Sequence, residues 1–227
     1  RVRGVDGDCR PDGQRGDARR AGGRSRVVSA GLMICVIKLG GSLSDDDRLA
    51  NWLSMLVQTG VGRVVIVPGG GPYANVVREQ QRRWKFSDEH AHRMAVLAMD
   101  QFAIQLQGMN TELLLVSTPS EILQVLAKNR VAIWLPSKMI LSAPEIAANW
   151  DITADSLAAW LARTLSADQL ILVKSCDIPV GATVEELVQR GIVDSGFPKM
   201  TEDARYAFQV VSIECADRVR SDLINFR

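Results

Sequence analysis

Short apolar runs alternate along this chain with segments whose apolar residues recur every three or four positions. The runs are typical of buried strands, and the spaced segments are typical of helices that cover a sheet. The pattern predicts strands at Ile34–Leu39, Arg63–Val67, Leu113–Ser117, Val131–Leu135, Gln169–Lys174 and Gln209–Ile213. It predicts helices at Asp45–Thr59, Asn75–Arg83, Asp88–Gln107, Pro119–Lys128, Thr153–Leu165 and Val184–Arg190. This alternation predicts an α/β fold, a three-layer αβα sandwich with a mostly parallel central sheet.

The longest predicted helix, Asp88–Gln107, has apolar residues at roughly helical spacing. They are Met94, Leu97, Met99, Phe102 and Leu106. We expect these side chains to pack in the core rather than contact a ligand. The helix is also a candidate interface between copies of the chain.

Residues 1–32 differ in composition from the rest of the chain, because Arg, Gly and Asp alternate there with almost no large apolar side chains. Such a segment cannot bury a core, and we expect it to be disordered. One interpretation is a basic tail that binds anionic partners. We favour an extension that is not part of the natural protein, because the first methionine, Met33, directly precedes the first strand. The folded domain is therefore expected at residues 33–227.

Composition narrows the class of protein. The net charge of +1 and the 5% aromatic content argue against a nucleic-acid-binding protein. No apolar run is long enough to span a bilayer, so no membrane partner is expected. The four cysteines are isolated from one another, which argues against a zinc knuckle or a redox pair and favours a cytoplasmic location.

The first predicted strand ends in a lysine, two glycines and a serine: Lys38, Gly40, Gly41 and Ser42. Free backbone N–H groups and one ammonium at the same turn suit a phosphate group. The order of residues matches neither the P-loop nor the Rossmann fingerprint. The alternative is an ordinary strand-to-helix turn with a surface lysine.

A second glycine turn, Gly69-Gly70-Gly71, follows the second strand between Pro68 and Pro72. Three glycines suit a place where backbone must lie against a ligand. A flexible loop is the alternative, although the two prolines stiffen the segment. Both glycine turns follow the carboxyl ends of predicted parallel strands, where ligands bind in such sheets.

Asp155 lies in the first turn of a predicted helix, after Asp151 and Thr153. Either of the two earlier residues could cap that helix, and Asp155 could simply favour its positive end. A carboxylate at this edge of the sheet could also hold two ammonium groups without itself reacting. Lys174, at the end of a strand, and Lys199 are the candidate lysines, and either could instead be an ordinary surface lysine.

The two histidines, His90 and His92, are separated by one residue and do not share a helix face. Without a third ligand nearby, no transition-metal site is expected. His92 could contact a substrate or serve a capping or surface role. The sequence has no Gly-x-Ser-x-Gly and no His-Glu-x-x-His, so hydrolytic and zinc chemistry lack support.

Four segments together resemble the amino acid kinase superfamily, which includes acetylglutamate, aspartate, uridylate and carbamate kinases. They are Lys38–Ser42, Pro68–Gly71, Thr153–Ala158 and the strand ending at Lys174. The resemblance implies phosphoryl transfer from ATP with Mg²⁺ bridging the ATP phosphates. It also implies a homo-oligomer with an acceptor lobe at residues 33–150 and a nucleotide lobe at residues 151–227.

Further segments resemble a narrower branch, the kinases of methanofuran biosynthesis. They are Pro72–Arg78, His92–Ala95, Met99-Asp100, Leu135–Lys138 and Trp150–Leu157. This branch transfers the γ-phosphoryl group of ATP to a small acceptor, an aminomethylfuran-methanol phosphate. Alternatives on the same fold are a uridylate or other small-molecule kinase and a non-catalytic storage protein that binds nucleotide or oxyanions.

The resemblance also implies roles for individual residues. Catalytic roles fall on Lys38, Asp155 and Lys199, and phosphate binding falls on Gly40, Gly41 and Ser42. Acceptor binding falls on Gly69, Gly70, Gly71, Asn75, His92 and Thr153, and nucleotide binding on Lys174, Ser175 and Asp177. The chain departs from the family where Asp177–Gly181 replaces the usual Asp-Gly-Val-Tyr.

Overall fold

The computed structural model describes residues 32–225. Residues 1–31 and 226–227 lie outside the described part. The predicted extension at residues 1–32 therefore lies outside it as well, except for Leu32. No helix between residues 32 and 225 combines the length and apolar character needed to cross a bilayer.

A six-stranded sheet forms the centre of the fold, and every pair of neighbouring strands is parallel. The strands are β1 (Cys35–Leu39), β2 (Val64–Pro68), β3 (Leu114–Val116), β4 (Ala132–Trp134), β5 (Gln169–Lys174) and β6 (Ala207–Ser212). Their order across the sheet is β3-β4-β2-β1-β5-β6. The predicted strands and their parallel arrangement are confirmed.

Helices connect the strands along the chain. They are α1 (Arg48–Thr59), α2 (Gly71–Trp84), α3 (Asp88–Met109), α4 (Pro119–Ala127), α5 (Ser137–Ile140), α6 (Ala154–Thr164), α7 (Val184–Gln189), α8 (Phe197–Thr201) and α9 (Ala216–Asn225). The apolar pattern did not predict α5, α8 and α9. The first two are too short to show a helical period, and α9 buries only Val219 and Leu223.

Two apolar cores, one on each face of the sheet, make the fold a three-layer sandwich. Val36, Val65 and Leu172 face the core that contains the apolar side of α6. Ile37 and Ile66 face the opposite core, which contains the apolar sides of α1 and α9. Successive residues of a strand point to opposite faces, so each central strand contributes to both cores.

Helix α3 overturns one expectation. Met99, Phe102 and Leu106 are buried as predicted, but Met94 is 40% exposed and Leu97 is 49% exposed. At about 100° per residue, the two exposed residues lie on a different arc of the helix from the three buried ones. The apolar residues of this helix occupy a wider arc than the core covers, so helical spacing alone does not tell which of them are buried.

The sheet brings two lysines to the same side. Strands β1 and β5 are neighbours, with Leu39 opposite Val173. Lys38 alternates with Val36, and Lys174 alternates with Leu172, so both lysines lie on the face that α6 covers. The register therefore places two ammonium groups beneath the start of one helix.

Candidate active site

Asp155 lies between the two lysines at the carboxyl edge of the sheet. Its Oδ1 is 2.9 Å from Lys38 Nζ, and its Oδ2 accepts a hydrogen bond of 2.6 Å from Lys174 Nζ. The three side chains are buried, with exposed fractions of 4% for Asp155, 6% for Lys38 and 8% for Lys174. The structure thus brings together the carboxylate and two of the lysines that the sequence singled out; we call these three residues the charge cluster.

Burial and charge act in opposite directions on this cluster. Burial disfavours ionised Asp155, but the Lys38 and Lys174 ammonium groups outweigh burial and hold the pKa of Asp155 at about 2. Burial, with repulsion from Lys38, lowers the pKa of Lys174 to about 8 against the attraction of Asp155 and Asp194. Asp155 is therefore a fixed anion at neutral pH and cannot act as a proton acceptor there.

The two glycine turns pack directly against each other. A Cβ atom added at Gly41 would lie 2.3 Å from the backbone nitrogen of Gly71, and one added at Gly69 would lie 2.2 Å from that of Gly41. The N–H of Gly69 also donates to the carbonyl oxygen of Leu39 over 2.8 Å. These glycines are therefore required by mutual packing, a reason that ligand approach alone did not suggest.

A cavity of about 270 Å³ opens beside these turns, and we call it the first cavity. Most residues predicted to bind the acceptor or a phosphate line it: Lys38, Gly41, Ser42, Gly69, Gly70, Gly71, Asn75, His92 and Thr153. Ala95, Val96, Met99 and Leu157 form an apolar part of its wall. Burial lowers the pKa of His92, so its imidazole is uncharged at neutral pH. The size and lining suit a small molecule with an apolar body and an anionic end.

A larger cavity, of about 500 Å³, also borders the charge cluster and is called the second cavity here. Asp155, Lys174 and Ser175 line it, whereas both cavities are lined by Lys38, Ser42, Arg78, Trp150 and Thr153. Ser175 Oγ donates a hydrogen bond of 3.0 Å to Ser42 Oγ, which joins the end of β5 to the turn after β1. The two cavities therefore meet at the Lys38 side chain.

Three predicted residues line neither of these two cavities. Gly40 is buried beneath the first turn, where an added Cβ would lie 3.2 Å from Lys38 Nζ. Asp177 is exposed beyond the end of β5. Lys199 is exposed on α8 and lines a separate cavity with Glu185 and Phe208. Within residues 32–225, the ammonium groups paired with Asp155 are those of Lys38 and Lys174.

Asp194 holds the start of α6 and was missed by sequence reasoning. Its Oδ2 accepts hydrogen bonds from the N–H and Oγ1 of Thr153, at 3.0 and 2.7 Å, and from the N–H of Ser156 at 3.0 Å. Ser156 Oγ donates to the other carboxylate oxygen. Asp194 thus caps the helix turn that carries Asp155. It lies far from that turn in sequence, so no local pattern could have identified it.

A second missed feature forms one side of the first cavity. The Arg78 guanidinium lies 4.0 Å from the centre of the Trp150 ring, and Trp150 Nε1 donates to Gln81 Oε1 over 2.6 Å. Gln81 Nε2 in turn donates to Asp88 Oδ1 over 2.7 Å. We call Arg78, Gln81, Asp88 and Trp150 the polar wall. Its members come from α2, α3 and the loop before α6, so only the fold brings them together.

Comparisons with known proteins identify the family of the chain. The model of the amino acid kinase family matches residues 33–177. The [5-(aminomethyl)furan-3-yl]methyl phosphate kinase of Methanocaldococcus jannaschii is 28% identical over 195 residues, which cover 81% of this chain and 90% of that protein.

Solved structures with the same fold include two uridylate kinases. The enzyme from Archaeoglobus fulgidus matches with a TM-score of 0.63 and 18% identity, over 84% of this chain and 95% of that one. The UMP kinase from Bacillus anthracis matches with a TM-score of 0.64 and 15% identity, over 86% of this chain and 93% of that one. At these identities the likeness concerns the fold.

Proposed function

The chain belongs to the amino acid kinase family, and we propose that it transfers the γ-phosphoryl group of ATP to an aminomethylfuran-methanol phosphate. The family assignment makes it a phosphotransferase. The choice of acceptor is supported by the Methanocaldococcus jannaschii relative, which matches over most of both chains. The observation that carries the proposal is the position of Lys38, which lines both cavities and is paired with Asp155.

We propose that the acceptor occupies the first cavity and the ATP phosphates reach Lys38 from the second cavity. An acceptor phosphate oxygen attacks the γ-phosphorus while the bond between that phosphorus and the β–γ bridging oxygen breaks, which releases ADP. A phosphate monoester is largely dianionic at pH 7, since its second pKa is about 6, so the attacking oxygen needs no protein base. The reaction therefore depends on positioning and on neutralising negative charge.

The residues proposed for these tasks belong to the charge cluster and the two turns. Lys38 and Lys174 neutralise phosphoryl oxygens, and Asp155 fixes both ammonium groups in place. Backbone N–H groups of the glycine turns supply further hydrogen bonds without net charge. Because Lys174 lies beside Asp155, we propose that it provides the second catalytic ammonium that the family resemblance had placed at Lys199.

The residues around the second cavity fit a nucleotide and its counter-ion. Lys174, Ser175 and Arg190 offer donors to anionic oxygens. Residues 32–225 contain no group of three His, Cys, Asp or Glu side chains placed to hold a metal ion. We therefore propose that Mg²⁺, which neutralises phosphate charge when bound, is held by phosphate oxygens and water. On this proposal, residues 33–150 form most of the acceptor lobe and residues 151–227 form the nucleotide lobe.

We also propose that the protein is a homo-oligomer. Met94, Leu97 and Ile104 expose apolar side chains on one arc of α3, and we call this arc the α3 face. An exposed group of large apolar side chains on a regular helix is typical of a protein–protein contact. A second copy of the chain that packed against the α3 face would bury these side chains away from water.

The Lys38→Met variant tests the proposed mechanism. We expect kcat to fall about 10²- to 10³-fold, because the variant removes a buried cation from the point where charge develops. ADP release can be followed in a coupled assay with the aminomethylfuran phosphate as acceptor and UMP as a competing candidate. Lys128→Met is the matched control, since Lys128 is exposed at the end of α4.

Three results would count against specific parts of this proposal. Unchanged turnover in Lys38→Met would remove Lys38 from the mechanism. Turnover of UMP without turnover of the furan phosphate would replace the acceptor with a nucleoside monophosphate. A loss in Lys199→Met as large as that in Lys174→Met would return Lys199 to the catalytic role that the resemblance implied.

A further inference from the structure

The charges around the first cavity are unevenly placed. Lys38 and Arg78 are its cations, and the half-buried His92, whose pKa is lowered by burial, is neutral at physiological pH. Among the described residues that line this cavity, Asp88 is the only carboxylate. Asp88 is exposed to solvent and takes part in no ion pair among the described residues, so its carboxylate is available to a cationic group of a ligand.

Asp88 is held in a defined position by the polar wall. Its Oδ1 accepts the hydrogen bond from Gln81, whose amide oxygen is fixed by the Trp150 indole. The same indole ring carries the Arg78 guanidinium on its face. This chain of contacts places an anion and a cation on one wall of the cavity and keeps them apart, since no ion pair joins Arg78 to Asp88 in the described part.

Helix α3 brings Asp88 to the same side as other cavity residues. Asp88, His92 and Ala95 recur at intervals of four and three residues, so they share one helix face. An apolar surface from Val96 and Met99 continues along that face. The lining of the cavity therefore combines two cations, an apolar surface and one carboxylate.

We propose that Asp88 binds an ammonium group on the acceptor and so selects amino-organophosphates over phosphates that lack an amine. This inference rests on the proposed function, and it adds which chemical group of the acceptor the protein recognises. A primary alkylamine is protonated at neutral pH, as lysine is. Its ammonium would pair with the free oxygen of Asp88, while the acceptor phosphate lies towards Lys38 and Arg78.

The competing explanation is that Asp88 only stabilises α3. Ser87 caps this helix, and acidic residues in its first turn, Asp88 and Glu89, favour the positive end of the helix dipole. The two acids differ in one respect, because Asp88 lines the cavity and Glu89 does not. Glu89→Gln is therefore the matched control, since it removes the same helix-dipole interaction outside the cavity.

The test compares two acceptors, [5-(aminomethyl)furan-3-yl]methyl phosphate and the analogue in which a methyl group replaces the aminomethyl group. With wild-type protein, we expect kcat/KM to be about 10- to 100-fold lower for the methyl analogue, the value of a charge-assisted hydrogen bond. Asp88→Asn should lose about the same factor with the amine and less than about 3-fold with the methyl analogue. The loss should appear mainly in KM, because the contact is made equally in the ground and transition states.

Each outcome has a distinct meaning. Equal losses on both acceptors in Asp88→Asn, or the same pattern in Glu89→Gln, would assign Asp88 to helix stability alone. Similar wild-type kcat/KM values for the two acceptors would overturn ammonium recognition without the need for any variant. Wild-type protein that phosphorylates neither acceptor would overturn the proposed function itself, which is a different result from equal use of both.

Discussion

Among single side chains, the charge cluster has one surplus positive charge, because two ammonium groups face one carboxylate. Burying unbalanced charge is unfavourable, and this unfavourable free energy lowers the pKa of Lys174. An anionic ligand would supply the missing negative charge. The charge imbalance of the cluster would thus be relieved by the kind of group that we propose it binds.

The pH dependence of activity should reflect Lys174. Because its pKa is lowered from 10.5 to about 8, its charge is lost as pH rises through about 8, and kcat/KM should fall above that pH. Lys174→Arg keeps its charge and should show lower activity without this alkaline fall. A pH–rate profile from pH 6 to 10 for both proteins makes the comparison.

The lowered pKa of Lys174 affects the free energy of unfolding in the direction opposite to its effect on activity. Between pH 8 and 10.5 the unfolded chain holds a proton on Lys174 that the folded chain has released, so this group makes the free energy of unfolding rise with pH there. Activity that falls while the structure is retained would therefore indicate titration rather than unfolding. An identical alkaline fall in the Lys174→Arg protein would assign the titration to another group.

At the level of helices, strands and turns, the sequence predicts those elements whose apolar residues are periodic or form a buried run. The strands of the sheet and the long helices follow from their apolar patterns, and the strand ends bring Lys38 and Lys174 to one edge. The polar wall did not follow, because Gln81, Asp88 and Trp150 belong to separate segments whose meeting depends on tertiary packing. The mutual packing of the glycine turns was hidden for the same reason.

Gly69→Ala should disturb the paired turns. The added methyl group would lie 2.2 Å from the backbone nitrogen of Gly41, which has no flexible side chain to move aside. We expect a loss of about 1–3 kcal/mol in the free energy of unfolding, measured with urea, as for other overpacked sites.

Gly108→Ala is the control for this substitution. Gly108 lies within α3, and an added Cβ there would meet nothing within 4 Å. Alanine should therefore stabilise the helix by about 0.5–1 kcal/mol. A Gly69→Ala protein as stable as the wild type would show that the two turns can separate at little cost.

At the level of the complete fold, the position of the site follows from the strand order. The chain passes from β1 to β2 on one side and returns to β5 on the other side of β1. In open parallel sheets, ligands bind where the order reverses in this way. The turns after β1 and β2 and the end of β5 meet at that point, which is where both cavities lie.

The α3 face provides a test of assembly. If it forms the proposed contact between copies, light scattering after size exclusion should give a multiple of 24.9 kDa. Replacing Leu97 and Ile104 together with glutamate should reduce the mass towards one chain, because buried charge disfavours association. Leu123→Glu, at an exposed position on α4, should leave the mass unchanged. A wild-type mass of one chain would contradict the proposed oligomer.

The contact between Gly41 and Gly69 limits how this kinase can be retargeted to other acceptors. Each glycine fills the space that a methyl group on the opposite turn would need, so neither loop can be exchanged without the other. On the proposed function, acceptor choice would be engineered in α2, α3, the segment around Trp150 and the start of α6, where side chains can be varied while the paired loops stay intact.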